Sequence, residues 1–274
     1  MTWPIHELPR GRIHVTRAEN VYPTMEDGSV TLIISDGPYR LKPKLAWDRF
    51  RSWDHFRDWY RPHVEAWGRV CAPAASVYVW GTDDSASELR PLMREHGWTK
   101  RVRVTWDKVA TPAGIGWKGC RTWLDSTEVC DVWTRGDAAF TPDGPPGFNV
   151  WRFDLQNDIR PERLYLPGSK PDPRSNRGWV TRESLHPCQK PLAFYDRIIR
   201  ASSRPGDRIL EPFGGTCRAA VTCERLPATD ARRYVCVEPD EDGRGYVPAV
   251  LASLGQGGSL PDEQGAQPSL WGAA

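Results

Sequence analysis

The 274-residue sequence predicts an α/β protein with a mostly parallel central sheet, helices on both faces and a loop-rich insertion. Short apolar runs rich in β-branched residues, such as residues 30–34, have the length of buried strands. Polar turns and stretches with helical spacing separate these runs, and this alternation is typical of a parallel α/β sheet. Hydrophobic residues make up 39% of the chain, which is enough for a substantial core.

Each element follows from a local pattern. The predicted strands are residues 30–34, 75–80, 102–106, 128–133, 207–211 and 233–237. Aromatic side chains between residues 48 and 70 recur on one helical face and predict a helix packed on the core. A second helix over about 84–96 ends at Gly97. A third begins at Lys190 and Pro191, since proline suits the first turn of a helix.

Two turns that are far apart in the sequence carry residues suited to chemistry. Asp36, Gly37, Pro38 and Tyr39 follow the first predicted strand, and the run Glu-Pro-Phe-Gly-Gly-Thr occupies residues 211–216. A glycine turn at the carboxyl end of a strand lets the backbone approach a ligand closely. An acid about twenty residues further on can bind ribose hydroxyls, as in dinucleotide-binding folds. The Walker lysine pattern is absent, which disfavours a nucleoside triphosphate and leaves a generic dinucleotide open.

Together with His-Pro-Cys-Gln-Lys-Pro at 186–191, these turns resemble the motifs of amino-methylating DNA methyltransferases. That family has a catalytic motif Asp/Asn/Ser-Pro-Pro-Tyr/Phe and a cofactor motif close to Asp/Glu-Pro-Phe-x-Gly-x-Gly. The order seen here, with the catalytic motif first, is the family's beta arrangement, and the resemblance covers roughly residues 12–250. It implies a Rossmann-like fold, S-adenosylmethionine as cofactor and double-stranded DNA as partner.

The resemblance also implies roles for individual residues. The catalytic residues would be Asp36, Gly37, Pro38 and Tyr39, and the cofactor-binding residues His186, Gln189, Lys190, Glu211, Phe213, Gly214, Gly215, Thr216 and Glu238. The Asp36 carboxylate and the Gly37 carbonyl would accept hydrogen bonds from the two N–H groups of an exocyclic amine. Tyr39 would stack on a flipped base. Asp36 slightly favours adenine N6 over cytosine N4, although Ser35 is adjacent.

Two positions depart from the family's pattern. Gly37 stands where the first proline is expected, which predicts a less rigidly placed carbonyl. The expected Gly-x-Gly becomes Gly214, Gly215 and Thr216, which affects the predicted shape of the loop. A catalytically degenerate module that binds DNA or cofactor, and an RNA or protein N-methyltransferase, are therefore alternatives. Pro187, Cys188 and Gln189 resemble the nucleophile motif of cytosine-C5 methyltransferases. In that class the glycine motif precedes the cysteine, whereas in this sequence it follows.

DNA binding must come from local charge, since the formal net charge is only +2. Residues 160–182 hold six cations against two carboxylates, within a segment rich in proline and glycine. The predicted DNA-binding residues are Lys118, Arg121, Arg160, Arg163, Lys170, Arg174 and Arg177. The predicted segments are a catalytic-motif half (1–108), a target-recognition insertion (109–182), a cofactor-binding half (183–252) and a disordered tail (253–274).

The seven cysteines are scattered without a CxxC pair, which makes a zinc site unexpected. They indicate reduced thiols and a cytoplasmic protein. No apolar run is long enough to cross a membrane, and the start lacks the apolar stretch of a signal peptide. A homodimer is compatible with the beta arrangement, and the recognition sequence cannot be derived from the motifs.

Overall fold

The computed structural model describes residues 2–108, 121, 126–141, 147–153, 188–240 and 245–255. Within these residues one nine-stranded sheet forms the centre of the molecule. Its strands are β1 (Ile5–Leu8), β2 (Gly11–His14), β3 (Val30–Ser35), β4 (Cys71–Gly81), β5 (Thr99–Asp107), β6 (Thr127–Arg135), β7 (Val150–Arg152), β8 (Arg208–Glu211) and β9 (Arg233–Val237).

The strand order is β1-β2-β9-β8-β3-β4-β6-β5-β7. The central run from β2 to β4 is parallel throughout. Strand β6 is antiparallel to both of its neighbours, β4 and β5, and the β1–β2 hairpin is antiparallel as well. The predicted mostly parallel α/β sheet is confirmed, with antiparallel pairing toward its two edges.

In the described part of the chain six α-helices cover the sheet: α1 (Ala18–Val21), α2 (Trp53–Val70), α3 (Asp83–Glu95), α4 (Leu192–Ser202), α5 (Arg218–Arg225) and α6 (Tyr246–Gly255). Successive residues of a strand point to opposite faces of the sheet, so Leu32 and Ile34 pack with α4, α5 and α6. Ile33 packs on the other face with α1, α2 and α3. The prediction of helices on both faces is confirmed.

Local signals fix the ends of several helices. Ser52 caps α2 by accepting a hydrogen bond from the backbone N–H of His55, at 3.1 Å. Thr82 and Ser85 form a reciprocal capping box at the start of α3. Gly97 follows α3 with φ +80°, the left-handed conformation that ends many helices.

The predicted boundary between residues 108 and 109 does not divide the sheet. Strand β6 lies inside the predicted insertion, yet it pairs with β4 on one side and β5 on the other. Residues 127–135 are therefore part of the central sheet. Helix α6 reaches Gly255, so residues 253–255 are helical, and residues 256–274 lie outside the described part. No helix among the described residues is long and apolar enough to cross a membrane.

Candidate active site

Strands β3 and β8 lie side by side in parallel although their sequences are far apart. From β8 the chain continues to β9 on one side, and from β3 it continues to β4 on the other. Ligands of open α/β sheets bind outside the carboxyl ends of the strands at such a reversal of strand order. A cavity of about 610 Å³ opens there, and both predicted turns line it. Its size is typical of a small-molecule site.

The carboxylate of Asp36 is part of a network of charged groups in this cavity. The Lys190 ammonium lies 2.9 Å and 3.1 Å from its two oxygens and 2.9 Å from the Tyr39 hydroxyl. The Tyr39 hydroxyl donates a hydrogen bond to Asp36. Glu128 lies 3.0 Å from the Lys190 ammonium, and its other oxygen is 2.7 Å from the Lys108 ammonium. Two carboxylates and two ammonium groups thus balance in charge.

Burial raises the pKa of Asp36, because a carboxylate is poorly solvated there. The positive charge of Lys190 and the hydrogen bonds from Lys190 and Tyr39 oppose this increase. Burial also favours neutral Glu128, but Lys190 and Lys108 outweigh it and lower its pKa. Glu128 is therefore ionised at neutral pH, and the ionisation of Asp36 depends on its cationic neighbour.

The backbone of Gly37 is enclosed by two aromatic side chains. A β-carbon at this position would lie 2.8 Å and 2.9 Å from ring carbons of Phe213, and it would also contact the Tyr60 hydroxyl. That hydroxyl donates a 3.1 Å hydrogen bond to the Pro38 carbonyl. The mobility predicted for a glycine here is therefore restricted by Tyr60 and Phe213.

Asp48 holds the segment that follows the turn at residues 36–39, which we call the catalytic turn after the motif it matches. Its carboxylate accepts hydrogen bonds from four consecutive backbone N–H groups, at 2.7, 2.6, 2.8 and 2.5 Å. The donors belong to residues 39–42. Arg40 has φ +60°, a left-handed conformation that is uncommon for a residue other than glycine. The buried carboxylate thus stabilises an otherwise unfavourable backbone next to Asp36.

The glycine turn after β8 is tight and leaves little room for side chains. A β-carbon on Gly214 would lie 3.1 Å from both the Cys217 sulfur and the Val237 carbonyl oxygen. Gly215 has φ +51°, and Cys217 has φ +45°. Counted from Glu211, the last glycine of the family's motif corresponds to Cys217. The departure assigned above to Thr216 therefore belongs to Cys217, which retains the left-handed backbone without being a glycine.

Glu211 lies beneath this turn and does not line the cavity. Its carboxyl group is fully buried and accepts hydrogen bonds from the backbone N–H of Ala219, at 3.0 Å, and from the Cys236 thiol, at 3.0 Å. Burial raises its pKa to about 7. Glu211 thus connects β8, α5 and β9 below the turn, and its predicted contact with the cofactor stays a prediction.

A family model described as DNA methylase, for N6 and N4 methyltransferases, matches residues 30–242. The match includes both turns and most of the sheet, and it covers more than half of the chain. The chain belongs to this family of DNA methylases. It is an S-adenosylmethionine-dependent DNA amino-methyltransferase, which confirms the class of enzyme and the cofactor expected from the motifs.

Relatives of this DNA methylase are Type II methyltransferases. M2.DpnII of Streptococcus pneumoniae is 24% identical over 235 residues, which are 80% of this chain and 81% of the relative. M2.LlaDCHI of Lactococcus lactis subsp. cremoris is 22% identical, with 94% of each chain covered. Both alignments therefore span most of the two proteins.

Solved structures share the fold of the DNA methylase. The cytosine-N4-specific PvuII DNA methyltransferase has a TM-score of 0.66 at 14% identity, covering 88% of this chain and 86% of that one. The complex of M1.HpyAVI with S-adenosylmethionine has a TM-score of 0.59 at 16% identity, covering 89% and 99%. At these identities the similarity extends to the Rossmann-like fold and no further.

Most of the predicted site residues of the methylase line the cavity described above: Asp36, Gly37, Pro38, Tyr39, Gln189, Lys190, Phe213, Gly214, Gly215, Thr216 and Glu238. His186, Lys118, Arg160, Arg163, Lys170, Arg174 and Arg177 lie outside the described residues. Arg121 is described and exposed. Lys190, predicted beside the cofactor, forms its ion pairs with Asp36 and Glu128.

The residues present suit S-adenosylmethionine. The turn at Gly214 and Gly215 presents bare backbone to the cavity, and the acid Glu238 stands at the end of β9, where ribose hydroxyls bind in related folds. One Glu238 oxygen accepts a 2.6 Å hydrogen bond from the Gly215 N–H, and the other a 3.1 Å bond from the Asp240 N–H. These bonds fix the direction of the carboxylate against the glycine turn.

Several residues of the site were missed by the sequence analysis. Trp59 was predicted in the core, yet it lines the cavity with its ring centroid 5.4 Å from that of Phe213. Asp48, Lys108 and Glu128 stand in no motif, so no local signal marks them. No group of three or more metal-binding side chains occurs among the described residues.

Proposed function

We propose that this DNA methylase transfers a methyl group to N6 of adenine in double-stranded DNA, with Asp36 and the Gly37 carbonyl as the groups that bind the amine. One observation carries the proposal: Asp36 and the glycine turn open into a single cavity from adjacent strands. S-adenosylmethionine supplies the activated methyl group. The chain's own residues must supply the position and the electronic state of the amine.

An exocyclic amine is a poor nucleophile because its lone pair is delocalised into the ring. A carboxylate and a carbonyl that accept hydrogen bonds from its two N–H groups favour a tetrahedral nitrogen, in which the lone pair is localised. Asp36 supplies the carboxylate, and Tyr39 and Lys190 fix its orientation. Tyr60 and Phe213 support the backbone that supplies the carbonyl.

Adenine is preferred to cytosine because Asp36, and not Ser35, faces the cavity. The Ser35 side chain is fully buried and does not line the cavity. The first position of the catalytic motif is thus an aspartate, the residue that tends to accompany adenine N6 in this family. Cytosine N4 is the second candidate, since it also offers two donors to the same pair of acceptors.

The DNA surface includes a second basic segment, residues 40–51, which we name the basic loop. Its cations are Arg40, Lys42, Lys44, Arg49 and Arg51. Asp48, the only carboxylate of this loop, binds backbone N–H groups, and no carboxylate pairs with the five cations among the described residues. Leu41 and Trp47 are exposed at the cavity mouth, with 57% and 37% of their surface accessible. Cations beside exposed apolar side chains suit phosphate contacts and a lifted base.

A role beside a restriction enzyme follows from the Type II names of the relatives. We expect such an enzyme to protect DNA from a nuclease with the same recognition sequence. A homodimer and a cytoplasmic location remain predictions, and the latter fits the six cysteines of the described residues, which form no disulfide with one another.

The test is product analysis. Purified protein, labelled S-adenosylmethionine and genomic DNA are incubated, the DNA is digested to nucleosides, and the labelled nucleoside is identified by mass. We expect N6-methyladenine. N4-methylcytosine would contradict the adenine proposal, and a bound cofactor without labelled DNA would identify a degenerate module.

Asp36→Ala tests the role of the carboxylate. We expect labelling to fall by ~10²-fold or more, because positioned proton acceptors typically contribute this much. Binding of S-adenosylmethionine, measured by calorimetry, should persist. Asp58→Ala is the matched control, since Asp58 is an exposed carboxylate on α2 away from the cavity. Undiminished labelling by the Asp36 variant would contradict the catalytic assignment.

A further inference from the structure

Lys190 occupies an unusual position between two carboxylates. It is 2% exposed, lies within 3.1 Å of both Asp36 oxygens and is 3.0 Å from Glu128. The Lys190 ammonium also lies 5.2 Å from the centre of the Tyr39 ring and 5.5 Å from that of Trp80. A buried ammonium between two carboxylates and two aromatic rings is fixed in place, so its charge acts on Asp36 at a constant distance.

We propose that Lys190 and Glu128 are opposed positioning residues that set the ionisation of Asp36: Lys190 keeps it a carboxylate, and Glu128 anchors Lys190 while weakening that effect. The inference rests on the proposed catalytic role of Asp36. It assigns Lys190 to the reaction centre, in addition to any contact with the cofactor, and it gives Glu128 a function that no motif indicates.

The proton balance of the reaction explains why this ionisation matters. As the nitrogen lone pair forms the N–C bond, the electron pair of the C–S bond goes to sulfur and the nitrogen must lose one proton. An N–H bond breaks, and an O–H bond forms on Asp36. Only the ionised carboxylate can accept both the initial hydrogen bond and this proton. A neutral Asp36 could still accept a hydrogen bond at its carbonyl oxygen, but it could not take up this proton.

The electrostatics of the neighbours agree with opposed roles. Burial raises the pKa of Asp36, Lys190 lowers it and Glu128 raises it further. For Lys190 itself, burial lowers the pKa, but Asp36 and Glu128 outweigh burial and raise it. Lys190 therefore stays charged across the range in which Asp36 titrates.

Other titratable groups also surround Asp36: Tyr39 on its own turn, Tyr60 on α2, Cys130 on β6, Tyr195 on α4, Glu211 on β8 and, through Glu128, Lys108 directly after β5. Burial raises the pKa of the three phenols and of the thiol, so these groups stay neutral. Glu211, whose pKa burial raises to about 7, is common to every variant below and shifts none of them relative to another.

The experiment measures single-turnover methyl transfer to DNA against pH for the full-length protein and its variants. In Lys190→Met we expect the rate at pH 7 to fall on the order of tenfold or more. The acidic limb of the profile should move to higher pH, so that alkaline buffer restores part of the rate. In Glu128→Gln the acidic limb should move to lower pH. Lys190→Arg keeps the charge and should restore the position of the limb.

Opposite shifts in the two variants are the expected result. Two results would overturn the inference. One is a methyl-transfer rate in Lys190→Met that falls by the same factor at every pH. The other is an acidic limb that moves in the same direction in Lys190→Met and Glu128→Gln. Binding of S-adenosylmethionine and the melting temperature show whether each variant is folded. If Lys190→Met does not fold, Lys190→Arg and Glu128→Gln still test the inference. Glu128 is partly exposed, so we expect the protein to fold when it is replaced. Retained labelling by Asp36→Ala would instead refute the proposed function.

Discussion

The backbone of Gly37 touches Tyr60 and Phe213, and this contact explains how the catalytic turn is held without the family's first proline. A proline ring restricts the chain through its own covalent geometry, whereas here two neighbouring side chains occupy the space that the ring would need. The Tyr60 hydroxyl also holds the next carbonyl, that of Pro38. The departure at Gly37 is thus matched by the surrounding residues.

Substitution of Gly37 by alanine should therefore be harmful. Overpacking of this kind costs about 1–3 kcal/mol in free energy of unfolding. We expect Gly37→Ala to lower the melting temperature and methyl transfer. The double variant with Tyr60→Phe should lose less than the sum of the two single variants, because the added methyl group and the hydroxyl compete for one space.

Gly68→Ala is the matched control for this cycle. Gly68 lies in α2, and an added β-carbon would meet nothing within 4 Å. Alanine favours the helix over glycine, so this variant should be neutral or slightly stabilised. Strict additivity between positions 37 and 60 would show that Tyr60 does not confine the turn.

The Asp48 carboxylate holds the start of the basic loop, which runs from the turn at residues 36–39 to α2. Asp48 binds four consecutive N–H groups, and the ends of this segment are continuous with Tyr39 on one side and with the cap of α2 on the other. The carboxylate thus fixes the start of the loop, and side-chain bonds from Arg40 to the Phe50 carbonyl and from Arg49 to the Pro43 carbonyl hold the rest.

Removal of the Asp48 carboxylate should loosen this loop and leave the sheet intact. A hydrogen bond to a charged group contributes about 1.5–3 kcal/mol, so Asp48→Ala should speed amide exchange at residues 39–42 on the order of tenfold or more. Methyl transfer should fall with it. Asp48→Asn, which retains one acceptor oxygen, should show an intermediate effect. Unchanged exchange at residues 39–42 would contradict the role of Asp48.

Sequence patterns predicted those elements whose signal is local. Strands β3, β8 and β9 contain short apolar stretches bounded by polar residues, and α3 carries both a cap and a terminal glycine, so their positions were correct within a few residues. Strand β6 was found, but its antiparallel place between β4 and β5 was not, because pairing depends on residues distant in the sequence.

The same distinction applies to the candidate site. The motifs predicted Asp36 and the glycine turn, since each stands in a recognisable run. Glu128 and Lys108 reach the site only because the start of β6 lies between the end of β4 and the end of β5. Asp48 acts through backbone groups that any sequence possesses. Glu211 matched the motif, yet its burial could not be seen without the packing of α5.

At the scale of the whole molecule, charge is concentrated where function needs it. The formal net charge is +2, but the basic loop alone carries five cations, and two of them, Lys42 and Arg49, line the cavity. We therefore expect the basic loop to contribute to the DNA contacts proposed above, because phosphate binding depends on local cations more than on net charge.

Lys44→Ala should therefore weaken DNA binding by the same factor for any sequence, and the slope of log affinity against log salt should fall by about 1. Fluorescence anisotropy over a salt series measures both. Arg204→Ala is the control, because Arg204 is an exposed cation before β8, at the opposite end of that strand from the cavity. Equal changes in the two variants would show that the basic loop makes no special contribution.

The order of the strands in the sheet also determines when each strand meets its partner during synthesis. On the ribosome β1–β4 emerge long before β8 and β9, yet β8 is the neighbour of β3, and β9 is the neighbour of β2. The N-terminal hairpin and one side of β3 thus wait without partners during most of translation, and such unpaired edges are prone to aggregation. The late strands close this gap and bring the glycine turn with them. The strands that complete the central sheet therefore also complete the cavity at the glycine turn.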